Sequence, residues 1–199
     1  VGKAFARTLR RGMSSGGCGS IMTEIPVTLP FEDQTVIDGL RAGDAVLLSG
    51  TLYTARDAAH KRMTECLSRG EALPFDIRNQ TIYYLGPSPA RPGQVIGSAG
   101  PTTATRMDRY TPALLDLGLK GMIGKGRRGQ AVIDSIVKNA AVYFSAEGGC
   151  GALLANYVKS CEVVAFPELG TEAVHRLTVE DFPVTVFCDH TGAIFSPYL

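Results

Sequence analysis

Asp44-Ala-Val-Leu-Leu-Ser-Gly50-Thr-Leu-Tyr-Thr54-Ala-Arg56-Asp57-Ala-Ala-His60-Lys-Arg-Met63 is the stretch that sets the fold class. Its first part is a short apolar run behind a glycine turn, which reads as a buried strand ending near Gly50. Thr54 stands three residues ahead of Asp57, a weak capping-box pair that opens a helix running to about Arg69. Strand, short polar junction and helix together make half of a βα unit.

The same unit recurs on both sides. Upstream, Ile25, Val27 and Leu29 alternate with polar neighbours as in a strand, and residues 33–41 place Val36, Ile37 and Leu40 on one helical face. Downstream, residues 81–86 read as a strand and the proline-rich residues 87–93 as an ordered loop. A helix is expected from Pro101 to about Leu117, then a strand at 121–124, a helix at 129–139 and a strand at 141–145. A further helix over 151–158 carries Leu153, Leu154, Tyr157 and Val158, and a strand follows at 162–166. Residues 173–194 read as hairpin-like β structure with a turn at Gly192. This alternation predicts an α/β fold, a mixed sheet with flanking helices. No internal repeat appears, so residues 22–199 are expected to form a single domain. Residues 1–21 differ: Lys3, Arg7, Arg10 and Arg11 precede any acid, and Ser14-Ser15-Gly16-Gly17-Cys18-Gly19-Ser20 follows. They are expected to be a disordered or non-native leader, with Cys18 an exposed linker thiol and Met22 the natural start.

The 199 residues are 45% apolar and 20% charged, with a formal net charge of +1. No global field favours nucleic acid, and no apolar run reaches the ~18–20 residues of a membrane span. The five cysteines are widely spaced and the three histidines scattered, so no zinc site or self-contained iron–sulfur site is expected in this chain. The thiols read as reduced, in a cytoplasm. Cys66, Cys161 and Cys188 fall on apolar faces and read as core, Cys150 is assigned no function, and His175 and His190 read as surface residues.

Three polar junctions fall where strands should end: Gly50 to Arg56, Gly97 to Arg106, and Gly121 to Lys125. Ligands of such sheets sit at the carboxyl ends of strands. In Gly97-Ser98-Ala99-Gly100-Pro101-Thr102-Thr103-Ala104-Thr105-Arg106-Met107 the glycines would let backbone approach a ligand. A helix starting near Pro101 would put Thr102 and Arg106 one turn apart on one face. The plainer readings stand beside these: a threonine-capped loop with Arg106 in solvent, Arg56 pairing with Asp57 on a helix surface, and Lys125 with Arg127 and Arg128 in a solvated basic loop. Lys125 lacks the spacing of a nucleotide-binding phosphate loop.

Gly50 to Arg62, Ile96-Gly-Ser-Ala-Gly-Pro-Thr-Thr-Ala-Thr-Arg-Met-Asp108, Met122-Ile-Gly-Lys-Gly126 and Glu180-Asp-Phe-Pro-Val-Thr-Val186 together resemble class I (iron–sulfur) fumarases and L-tartrate dehydratase β subunits. The resemblance runs from Met22 to about residue 196. It implies the swivelling β/β/α fold. It also implies a [4Fe–4S] cluster held by a partner α subunit and not by this chain, in a heterodimer or an α2β2 assembly. The implied reaction is reversible hydration of a small dicarboxylate, fumarate first and tartrate next. By motif position Arg56, Arg106 and Lys125 become carboxylate-binding cations. Thr102 becomes the proton-abstracting hydroxyl, or else a donor or relay, with Lys125 beside it. Asp57, His60 and Asp108 are placed behind them, Asp108 orienting Arg106 or its own helix and His60 packing or capping. A non-catalytic dicarboxylate-binding or assembly module is the alternative.

Overall fold

The structure, a computed structural model, describes residues 23–196; the leader, Cys18 and Met22 lie outside the described residues. Five strands run parallel: β1 (Ile25–Leu29), β2 (Ala45–Thr54), β3 (Thr81–Tyr83), β4 (Gly121–Gly124) and β5 (Val142–Ser145). Two more follow, β6 (Val158–Ala165) and the 15-residue β7 (Val174–Cys188), paired antiparallel with each other. β7 also runs antiparallel to the whole of β2, and its last residues pair with β5. The ladder β2–β3–β4–β5–β7 therefore returns to β2 and closes on itself, which leaves those strands no bare edge inside the ring.

The central parallel strands β3, β4 and β5 are buried on both faces, as their unbroken apolar runs demand, while β1 at the edge keeps alternate residues exposed. Successive side chains serve different cores. Tyr83, Leu85, Ile123, Val142 and Phe144 join Leu48, Leu52, Leu177, Phe182 and Val186 in one core, between the parallel strands and β7. Ile82, Tyr84, Met122 and Tyr143 face the other way and meet the helices. There α2 (Asp57–Ser68) supplies Ala59 and Met63, α3 (Thr111–Asp116) supplies Leu114 and Leu115, and α4 (Gln130–Asn139) supplies Val132 and Ile136. Each such side chain contributes about 1.5–3 kcal/mol by leaving water. The short α1 (Gln34–Gly39) and α5 (Gly151–Leu154) send Ile37 and Leu154 to the first core.

Several expected boundaries move. β2 continues through Gly50 to Thr54. Gly50 has φ 121°, and a Cβ there would strike the Leu29 backbone, so only glycine carries the strand past β1 at that point. Thr54 is therefore strand and not cap: its hydroxyl lies 3.1 Å from His175 Nδ1, and His175 is buried, not on the surface. His190 is half-buried too, as are Cys66 and Cys161, while Cys188 is core. The helix expected at Pro101 begins later, with a 3₁₀ segment at Ala104–Met107 and α3 at Thr111, where Pro112 suits the first turn. The helix at Gly151 stops at Leu154, so Tyr157 closes a 3₁₀ turn and Val158 already starts β6. At the C-terminal end residues 174–188 form the single strand β7, and the expected turn at Gly192 follows it, with Cys188 pairing antiparallel with Ile194 across the turn.

A candidate active site at the carboxyl ends of the parallel strands

Arg56 follows β2 and is the N-cap residue of α2. Its side chain lies across Gly86, just past β3: a Cβ on Gly86 would sit 2.8 Å from Arg56 Cδ and 3.0 Å from Nη1. Nη2 pairs with Glu172 Oε1 at 3.3 Å, and the other oxygen of Glu172 accepts the Ala58 backbone N–H at 3.1 Å. One carboxylate thus caps the first turn of α2 and holds the arginine that precedes it. Asp57, the first helical residue, faces a second arginine. Arg106 Nε donates to Asp57 Oδ1 at 2.9 Å, and Nη2 stands 2.9 Å from Oδ2. That same Oδ2 is 3.8 Å from Arg56 Nε. Asp57 is the shared counter-ion of both guanidiniums.

Thr102 and Lys125 meet through their backbones. Thr102 N–H donates to Tyr84 O at 2.7 Å, Lys125 N–H donates to Thr102 O at 3.2 Å, and Ala104 N–H donates to Lys125 O at 2.9 Å. Residues 102–104 therefore lie as a short extended rung beside the ends of β3 and β4. This replaces the helical face expected to join Thr102 to Arg106, because backbone donors and acceptors at the strand ends capture the segment first. The Lys125 side chain passes Gly148, beyond β5, with Nζ 4.0 Å from where a Cβ would stand. Among the described residues Nζ has no carboxylate at ion-pair distance. The glycines of the 97–100 loop serve packing against the protein itself: Gly97 abuts Ser88 and Pro89, and Gly100 abuts Gly151.

Asp108 does not orient Arg106. It accepts Arg128 Nε at 2.7 Å on one oxygen and the Gly129 N–H at 2.7 Å on the other. Arg128 is buried, so the plainer reading of a solvated basic loop does not hold for it, although Lys125 and Arg127 are exposed. Its guanidinium lies between the rings of Tyr84 and Tyr143, 5.2 and 5.0 Å from their centroids, and also donates to Thr111 Oγ1 at 2.7 Å and to Tyr84 Oη at 3.0 Å. This buried fork ties the loop after Lys125 to the segment that carries Arg106. His60, wholly buried, donates Nδ1–H to Arg56 O at 2.9 Å and packs edge-on against Tyr84. Burial pushes its pKa down to about 4, with the Arg128 charge adding to the shift and the Arg56 carbonyl and Asp57 opposing it.

Arg56, Arg106, Thr102 and Lys125 thus come from junctions on one end of the sheet. They lie on an open face: Lys125 and Arg106 are exposed, Thr102 half-buried. A separate cleft, lined by Ser88, Arg91, Gln94, Ser98 and Asn156, does not include them. Glu172 and Arg128 were missed in the sequence. Glu172 stands outside the quoted motifs, and Arg128 is one of three basic residues in four, with nothing local to mark it as buried. Among the described residues no group of three or more His, Cys, Asp or Glu could hold a metal ion, and no helix is long and apolar enough to cross a membrane.

Residues 17–197 match the family described as Fumarase C-terminus. The aerobic class I fumarate hydratase of Escherichia coli K12 is 43% identical over 150 residues, which cover 74% of this chain and 27% of that protein. Fumarate hydratase 2 of Leishmania major is 41% identical over 152 residues, 75% of this chain and 27% of its own length. The chain spans about a quarter of those curated relatives. A putative L(+)-tartrate dehydratase subunit beta of Methanocaldococcus jannaschii is 40% identical over 159 residues, 77% of this chain and 82% of its own.

Proposed function

The chain belongs to the Fumarase C-terminus family, and on that premise we propose that it is the β part of a hydro-lyase that adds water to, or removes it from, a small dicarboxylate. Fumarate and malate are the first substrate pair and tartrate the second. The observation that carries this reading is the pair of arginines held on either side of Asp57, at the strand ends where Thr102 and Lys125 also meet. An open cationic face also suits a site completed by a second subunit. The layering of parallel strands, β7 and helices supports the swivelling β/β/α description.

The described residues do not fit an iron–sulfur cluster, since no ligand set comes together among them. In this proposal the cluster belongs to a separate α subunit. What this chain supplies is recognition and a proton acceptor. Arg56 and Arg106 present planar forks that match carboxylates, with charge-assisted hydrogen bonds of about 2.7–2.9 Å. Lys125, joined to Thr102 through the backbone, adds a compact charge at the same strand ends. The hydroxyl of Thr102 takes the proton from the carbon beside a carboxylate, as the base itself or as a relay. A hydroxyl does this only where fixed positive charge favours its ionised form and water is excluded. Closure of the partner over this face would provide the exclusion.

The test is reconstitution. The chain is co-expressed with a cluster-bearing α partner, and fumarate and tartrate turnover are followed separately. Activity is expected from the assembled pair and not from either part. Turnover by the isolated chain without iron would overturn the shared-site reading.

A further inference from the structure

We propose that Glu172 is a positioning residue that aims Arg56 at a substrate carboxylate; this rests on the dicarboxylate site proposed above. Glu172 comes from no βα junction. It ends the 3₁₀ segment Pro167–Glu172 between β6 and β7, and that segment is docked on α2 by Arg62, which pairs with Glu168 at 3.1 Å and lies over Phe166. The anchor is therefore built into the fold. Two independent contacts leave the Glu172 carboxylate little freedom, the Ala58 N–H on one oxygen and Arg56 Nη2 on the other.

Arg56 needs such an anchor. Its Nε is buried and makes no hydrogen bond, so that atom does not fix the guanidinium plane. Asp57 is a weaker guide, since it lies 3.8 Å from Arg56 and is engaged by Arg106 at 2.9 Å. Gly86 and the Thr171 carbonyl wall one side of the slot. Glu172 is thus the carboxylate that sets where the fork points, and a forked contact loses strength steeply when its plane turns.

Glu172→Gln is the test, because it keeps the volume and an acceptor for Ala58 N–H while removing the charge that holds Arg56. Two readouts are taken. In the chain alone, the Arg56 Nε–H signal in a ¹⁵N spectrum, assigned with Arg56→Lys, is expected to show a rigid side chain in the parent and a mobile one in E172Q. In the assembled enzyme, KM for fumarate or tartrate is expected to rise about tenfold, the size of one lost charged hydrogen bond, with kcat within about twofold. A rigid Arg56 in E172Q, or a KM equal to that of the parent, overturns the proposal. So does a fall in kcat alone that tracks a lower melting temperature, which is what a merely structural role would give. If the parent assembly turns over neither acid, the dicarboxylate reading is what fails, and the Arg56 signal alone decides whether Glu172 holds it.

Discussion

Arg106 reaches across 49 positions of sequence to place its guanidinium on Asp57, with both 2.9 Å contacts falling on a carboxylate that also faces Arg56. As a stability device this is minor, because a part-exposed ion pair contributes only about 0.2–1 kcal/mol. Its value is geometric: two like charges that would spread apart are kept side by side. Asp57→Ala should therefore cost about 1 kcal/mol in urea unfolding but lower kcat/KM of the assembled enzyme by about tenfold or more. In a double-mutant cycle, Asp57→Ala and Arg106→Ala should be strongly non-additive in kcat/KM. Additive losses would show that the two residues act separately.

Arg106 itself is expected to matter more than its counter-ion. Arg106→Ala should cost about 3 kcal/mol of transition-state stabilisation, the size seen when one fixed donor is removed from a reacting anion. Arg106→Lys should recover only part of this, since an ammonium cannot make the planar fork. Unchanged kcat/KM in either variant would reject the role.

Gly86 carries no charge, yet it shapes the Arg56 slot. A methyl group there would come within 3.0 Å of the Arg56 side chain and 3.1 Å of the Thr171 carbonyl. Gly86→Ala should displace Arg56 and raise KM several-fold, at a stability cost of about 1–3 kcal/mol. Steady-state kinetics with a parallel melting curve would separate the two effects.

What the sequence makes legible follows the range of the forces involved. The βα alternation, the buried parallel strands and the polar junctions are local patterns, and each appears close to where the periodicity puts it. The closed ring is not local. It depends on β7 pairing with both β2 and β5, whose partner residues lie 40 or more positions away, and nothing local in residues 174–188 names those partners. The same limit explains Thr102, whose neighbours favour a helix start until Tyr84 and Lys125 capture its backbone, and Arg128, which looks solvated until Tyr84 and Tyr143 close on it.

Arg128 is the site's structural lock, and its loss should be felt in folding. Its side chain is 1% exposed, and it pairs with Asp108 at 2.7 Å. Arg128→Met fills the space between the tyrosines but leaves Asp108 and the Tyr84 hydroxyl short of a partner. The expected cost is about 3 kcal/mol in urea unfolding, in the range for breaking a buried pair. Asp108→Asn should cost less, because that carboxylate is 21% exposed and its amide replacement can still accept the Gly129 N–H. Equal costs would mean that the pair, and not the burial of Arg128, dominates.

His60 makes the fold sensitive to mild acid. Its pKa falls from 6.5 to about 4 chiefly through burial, so it is neutral in the folded chain. Above pH 6.5 both folded and unfolded chains carry it neutral, and its contribution to stability is complete. Between pH 6.5 and 4 the unfolded chain takes up a proton that the folded chain refuses, so stability is lost as pH falls, by on the order of 2 kcal/mol at pH 4.5. His175, also lowered by burial, acts in the same direction. Asp33, Asp76, Asp116 and Asp189 are held below 3.8 and lose their contributions at lower pH, while Glu71, held below 4.5 by its hydrogen bond to Arg69, begins to lose its own only at the acid end of the window, in an exposed pair that solvent screens. Urea unfolding at pH 7 and pH 4.5 checks it with His60→Asn, whose amide keeps a donor for the Arg56 carbonyl. The variant should lose clearly less stability between the two pH values than the parent, and an equal loss would mean that His60 is not held neutral by its burial.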